Sequence, residues 1–120
     1  MAAHINFHVN DGIAHIFLAT PDSKVNVLTA AFMDELEQFA GELGGDRTLR
    51  GAIVTSGQSA GFIAGADISE IENLTDDEKG TEAALAGQRV FNAWAKLSFP
   101  VLAAIHGHCM GGGTEFALAC

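Results

Sequence analysis

Ile5, Phe7 and Val9 alternate with polar neighbours, Asp11-Gly12 supplies a two-residue turn, and Ala14 to Leu18 forms a second extended run. A β-hairpin is therefore expected at the start of the chain. After the loop around Pro21 to Asn26, Thr29 can cap a helix whose apolar residues Phe32, Leu36, Phe39, Ala40 and Leu43 recur at 3.6-residue spacing, with Gly44-Gly45 as its expected end. Residues 51–56, GAIVTS, are β-branched and almost continuously apolar. Runs of that kind are covered on both faces, which predicts an interior strand. Residues 57–67, rich in Gly, Ala and Ser, read as a loop, and Thr75-Asp76-Asp77-Glu78 matches a capping box opening a helix that reaches about Leu97. Pro100 bars further helix, Val101 to Ile105 reads as another buried strand, and Gly111, Gly112 and Gly113 lead into a helix from Thr114 to Cys120. The order ββα, β, loop, α, β, loop, α is that of an α/β protein, without repeats, linkers or low-complexity segments.

Composition excludes several classes of function. The 120 residues carry 48% hydrophobic side chains and 14 Gly, the profile of one globular unit. Six Lys and Arg against 15 Asp and Glu give a net charge of −9, the wrong sign for gripping a phosphate backbone, so no nucleic-acid partner is expected. No apolar run approaches the ~20 residues of a spanning helix, and the start MAAHINFHVNDG lacks the basic and apolar regions of a signal peptide. A cytoplasmic protein without a membrane partner is the expectation. Cys109 and Cys120 are too few to staple a fold and are expected to stay reduced. Asp67 to Glu82 holds seven acids and one Lys, which reads as a solvated face with acids favoured near a helix start. The final residues FALAC lie inside an apolar helical pattern with no glycine or cationic last turn. Residues 1–120 are accordingly expected to be the N-terminal part of a longer protein, or a chain whose last helix is covered by a partner.

The richest chemistry lies in AAIHGHCMGGGTEF, residues 103–116, a strand, a glycine turn and a helix start. Such a geometry aims unpaired N–H groups and the positive end of a helix dipole at one point. A phosphate loop fails because Gly113 stands where its Lys is needed, and a dinucleotide fingerprint fails because Cys109 occupies the second glycine. Gly107-His108-Cys109-Met110-Gly111 has the form of a nucleophile elbow, but no His follows Cys109 to serve as base, and an inert buried thiol is the better reading. His106, His108, Cys109 and Cys120 lack zinc-ligand spacing, so no metal is expected. The remaining reading is an oxyanion hole using the Gly112 N–H, with Glu115 one turn on and able to reach the same place. An acid there is equally accounted for as a favourable charge at a helix N-terminus.

FIAGADI at residues 62–68 together with AAIHGHCMGGGTEFALAC at 103–120 resembles the paired signature of the crotonase, or enoyl-CoA hydratase/isomerase, superfamily. SKVNVL at 23–28 is similar to the corresponding loop of multifunctional fatty-acid β-oxidation α-subunits. The resemblance implies the N-terminal portion of a crotonase-like spiral of ββα units and a 2-enoyl-CoA hydratase of fatty-acid β-oxidation, a lyase. It implies that the N–H groups of Ala66 and Gly112 grip the thioester carbonyl and that Glu115 is one of two glutamates holding water. Ala64, Gly65, Ala66, Asp67 and Ile68, with Gly111 and Gly112, would lie along the acyl-CoA, and Lys24 and Val25 close by. Coenzyme A enters as part of the substrate, and no separate cofactor is implied. The second glutamate and the trimer-forming helices would lie beyond Cys120, so residues 1–120 alone are expected to be poor in hydration and to self-associate. The expected partners are further copies or other β-oxidation subunits. A non-catalytic acyl-CoA-binding or assembly piece, an isomerase and a thioester hydrolase remain alternatives on the same site.

Overall fold

Asp11 and Gly12 both adopt positive φ, 52° and 75°, as a tight hairpin turn with the right twist requires. They join β1 (Ile5–Asn10) to β2 (Ile13–Leu18) in antiparallel register, with Phe7 opposite Ile16. The computed structural model describes residues 3–120. The main sheet continues from β2 to β4 (Gly51–Ser56) and then β7 (Val101–Ala103), both parallel, in the order β1-β2-β4-β7. In β2 the alternation is strict: Ala14, Ile16 and Leu18 point into the core while His15 and Phe17 stay half-buried on the other face.

Helix α1 (Ala30–Gly45) covers the core face of this sheet, and its buried residues are Phe32, Leu36, Phe39, Ala40 and Leu43, the five that helical spacing singles out. Thr29 caps it by accepting the Phe32 N–H at 3.1 Å. α3 (Asp77–Ala95) packs against α1 through Val90 and Trp94, and the Trp94 indole N–H donates to Leu36 O at 3.0 Å. Trp94 also meets Phe116 of α4 (Gly112–Ala119) edge-on, with centroids 5.1 Å apart. Each fully buried large apolar side chain contributes roughly 1.5–3 kcal/mol relative to exposure, so this aromatic junction is a principal tie between α4 and the rest.

Several sequence expectations are corrected. Gly44 and Gly45 lie within the last turn of α1 and Asp46, in extended conformation, ends it, so no left-handed glycine is used. Asp76 rather than Thr75 caps α3, accepting the Lys79 N–H at 2.7 Å, and α3 ends at Ala95. β4 is interior within the sheet but covered on one face, since Ile53 and Thr55 are half-buried. β7 stops at Ala103 and is an edge strand with Leu102 64% exposed, not a buried one. α4 begins at Gly112, two residues before Thr114.

The loop expected over residues 57–67 contains β5 (Gly61–Ile63) and β6 (Gly65–Ala66), followed by a short α2 (Ile68–Glu72). β5 pairs with β8 (His108–Cys109), and β6 pairs with β3 (Val27–Leu28), in two separate small ladders. Strands this short have no room for an apolar alternation, and their pairing depends on backbone proximity. A Cβ on Gly61 would stand 2.1 Å from His108 N, and one on Gly107 2.5 Å from Ala60 O. Side chains at these positions would keep the two segments apart.

Candidate active site

The FIAGADI stretch and the triple glycine, about fifty residues apart in the chain, meet where β5 and β6 run beside the start of α4. Three features set that meeting. Met110 N–H donates to Ile63 O at 3.1 Å, Gly113 N–H donates to Met110 O at 2.8 Å, and Thr114 Oγ1 donates to Cys109 O at 2.9 Å. Gly113 is buried hard on β5, where a Cβ would lie 2.6 Å from Ile63 O and 2.8 Å from Ile63 Cβ. The absence of a side chain at residue 113 is what lets the first turn of α4 seat on Ile63.

Gly112 is the first residue of α4, so its N–H has no acceptor one turn back within the helix. Among the described residues it donates to nothing else. On the facing segment, Asp67 N–H donates to Leu28 O at 3.4 Å. Ala64 N–H, on the other side of Ala66, donates to Asn26 O at 2.9 Å, and the Ala66 N–H makes neither of these two bonds. Ala66 N lies 3.9 Å from the position a Cβ on Gly112 would occupy, and Gly65 Cα lies 3.8 Å from the corresponding position on Gly111. Ala66 is exposed, Gly112 half-buried, and Glu115 exposed in the first turn of α4, with its own N–H on Gly111 O at 3.1 Å. No Lys or Arg occurs in residues 97–120, so the positive end of α4 and these N–H groups supply the favourable field for a developing negative charge there.

The other sequence candidates sit around this pair at different removes. Ala64, half-buried, donates its N–H to Asn26 O at 2.9 Å. Asp67 caps α2 by accepting from Ser69 N at 2.8 Å and Glu70 N at 3.3 Å, and hydrogen bonds from the Ser69 hydroxyl and these N–H groups hold its carboxyl below the usual carboxylate range. Ile68 is 72% exposed. Lys24 and Val25 approach from the far end: Lys24 O accepts Ala60 N–H at 3.4 Å, and neither residue is hydrogen-bonded to Ala66 or Gly112. Cys109 and Cys120 are both free thiols, and burial pushes Cys120 up to about 12. Among the described residues, no three His, Cys, Asp or Glu side chains gather as metal ligands. No helix among them is long and apolar enough to cross a membrane.

Sequence reasoning passed over three residues that shape this site. Gly113 was read only as part of a glycine run. Glu70 accepts the Ala30 N–H through both carboxylate oxygens, at 3.2 and 3.0 Å, and pins α2 to the start of α1. Asn26 is completely buried, and the signal for it was present: a lone amide between Val25 and Val27-Leu28 in an apolar stretch.

Residues 8–120 match the family described as enoyl-CoA hydratase/isomerase. The chain belongs to the enoyl-CoA hydratase/isomerase family. Among curated relatives, the fatty acid oxidation complex subunit alpha of Shewanella loihica is 40% identical over 112 residues, covering 93% of this chain and 16% of the relative. That of Vibrio parahaemolyticus is 40% identical over 108 residues, 90% of this chain and 15% of the relative. The chain thus spans about a sixth of the length of these relatives. Among solved structures, an enoyl-CoA hydratase/carnithine racemase from Magnetospirillum magneticum superposes with a TM-score of 0.90 at 28% identity, over 100% of this chain and 45% of that one. An enoyl-CoA hydratase from Bacillus anthracis gives 0.86 at 29%, over 98% and 45%. The mixed α/β architecture is therefore the crotonase fold, as the paired signature implied, and this family member covers less than half of each of these two neighbours.

Proposed function

We propose that this chain carries the acyl-thioester site of a 2-enoyl-CoA hydratase acting in fatty-acid oxidation. The observation that supports this most is the approach of Ala66 N to Gly112 at the start of α4, beside a Gly112 N–H that has no protein partner. Two such donors on a thioester carbonyl oxygen draw electron density from C3 of the conjugated acyl group, and water adds there. The negative charge that moves onto the oxygen as the C3–O bond forms is stabilised by donors already in place. Glu115, in the first turn of α4, is the base that takes the proton from the attacking water, and its return from the Glu115 carboxyl to C2, as the charge on the thioester oxygen flows back, completes the addition. Ala64 to Ile68 and Gly111 would lie along the adenine and pantetheine parts of the acyl-CoA, with Lys24 and Val25 close by. The 40% identity to subunits named for fatty acid oxidation favours this reaction and an assembly with other subunits over a free-standing isomerase or thioester hydrolase.

The test is the loss of conjugated-thioester absorbance when the protein at its native length is mixed with 2-butenoyl-CoA. Glu115→Gln keeps size and hydrogen bonding but cannot take a proton. It is expected to lower kcat by about 10²–10⁴, the usual contribution of a general base, with little change in KM. Hydration by Glu115→Gln at the unaltered rate would remove Glu115 from the mechanism. No hydration by the unaltered protein would remove the reaction itself.

A further inference from the structure

Asn26 is a side chain that the proposed chemistry does not use and the fold does not obviously need. It is completely buried, yet each of its polar atoms is partnered. Its Oδ1 accepts from Thr20 N at 2.8 Å and from Thr20 Oγ1 at 3.1 Å. The two hydrogens of its Nδ2 are shared among Leu18 O at 2.9 Å, Ser56 Oγ at 3.0 Å and Phe62 O at 2.9 Å. Leu18 and Ser56 are the last residues of the neighbouring parallel strands β2 and β4 and are paired with each other. Phe62 belongs to the segment that leads to Ala66. The main chain of Asn26 grips the same segment two residues on, where its carbonyl accepts the Ala64 N–H at 2.9 Å. The next two residues, Val27 and Leu28, then pair with Gly65 and Ala66. One residue thus ties the ends of two core strands to the stretch from Phe62 to Ala66.

A buried amide is costly unless all its hydrogen bonds are made, and any apolar residue of similar volume would fill the same space without that condition. What an apolar residue could not do is fix the height and rotation of the Phe62 carbonyl relative to the sheet ends. We infer that Asn26 is a positioning residue for the Ala66 N–H: it transmits the geometry of the main sheet to the donor beside Gly112. The inference rests on the oxyanion reading of Ala66 and Gly112 given above. Gly112 has no hydrogen bond to Asn26: α4 seats on Ile63 through Gly113, and Ile63 lies inside the stretch that Asn26 holds, whereas Ala66 pairs directly with Leu28, two residues after Asn26. Loss of the Asn26 amide is therefore expected to reach Ala66 more strongly than Gly112.

The experiment uses the full chain labelled with ¹⁵N, titrated in parallel with butyryl-CoA, an unreactive saturated thioester, and with free CoA, which has no thioester carbonyl. Amide shifts produced by butyryl-CoA and not by CoA report the carbonyl contact. In the unaltered protein such shifts are expected at both Ala66 and Gly112. In Asn26→Ala the Ala66 response is expected to fall well below the Gly112 response, with the preference for butyryl-CoA over CoA falling by about fivefold, the effect of one ordinary hydrogen bond. Should Asn26→Ala fail to fold, Thr20→Val combined with Ser56→Ala removes the Thr20 Oγ1 and Ser56 contacts to Asn26 and leaves the main chain intact. A larger reduction at Ala66 than at Gly112 is then the expected result. An unchanged Ala66 response in a folded variant, or equal loss at Ala66 and Gly112, overturns the positioning role while leaving the site itself standing. No thioester-specific shift at either amide in the unaltered protein overturns the oxyanion reading, and the positioning role with it.

Discussion

A single backbone donor can be tested by asking what each substitution at Gly112 removes. Gly112→Pro deletes the N–H at a first helical position, where proline is otherwise compatible with a helix. Its ring enters the space where a Cβ would stand 3.0 Å from Leu28 Cδ1, the movable end of a side chain. Gly112→Ala places a carbon in that same space and keeps the N–H. If the donor matters, Pro lowers kcat for 2-butenoyl-CoA by on the order of 10²–10³ and Ala by much less, with circular dichroism showing both variants folded. Equal losses would mean that crowding near Leu28 and Ala66, rather than a missing hydrogen bond, is what the site cannot tolerate. The Thr29 cap and the spacing of Glu115 from Gly112 were legible at this scale. The burial of Asn26 and the tight seat of Gly113 were not, because both depend on atoms contributed by segments more than thirty residues away.

At the scale of elements, the glycines of α1 and α4 make a useful contrast. Gly41 lies mid-way along α1 with nothing within 4 Å of where a Cβ would go, whereas Gly113 would press its Cβ on the Ile63 carbonyl at 2.6 Å. Gly41→Ala is expected to raise stability by roughly 0.5–1 kcal/mol, since helix interiors favour Ala. Gly113→Ala is expected to lower it by about 1–3 kcal/mol, because neither a backbone oxygen nor a Cβ can turn aside. The same change lifts the first turn of α4 off β5, so thioester binding should weaken in parallel. Urea unfolding of both variants beside butyryl-CoA titrations checks this, and a Gly113→Ala protein of unaltered stability would show that α4 is not seated as described. α1 was readable residue by residue because its stripe repeats over four turns. β3, β5, β6 and β8 were unreadable because two or three residues cannot display a period, and their ladders exist only once distant glycines let backbones touch.

For the molecule as a whole, the exposed apolar residues are unevenly placed. One group, Leu102 at 64%, Ile105 at 50%, Met110 at 59% and Leu118 at 81%, lies in the segment from β7 to α4, and Ile68, Ile71 and Leu74 form a second around α2. Leaving such side chains in water forgoes roughly 1.5–3 kcal/mol each relative to burial, and apolar surface of this kind tends to find a partner. Residues 1–120 on their own are expected to self-associate, and Leu102→Lys with Leu118→Lys to reduce it. Light scattering decides, and a monomer at high concentration without either substitution would contradict the expectation. The long periodic elements, the net charge of −9 and the paired glycine-rich signatures needed nothing beyond the order of residues, because periodicity, charge and motif spacing are local or additive properties. The edge position of β7, the half-covered faces of β4 and the meeting of Ala66 with Gly112 were decided by tertiary structure. Each depends on which segment comes to lie beside another, and that is settled by packing across the whole core around Phe32, Trp94 and Phe116.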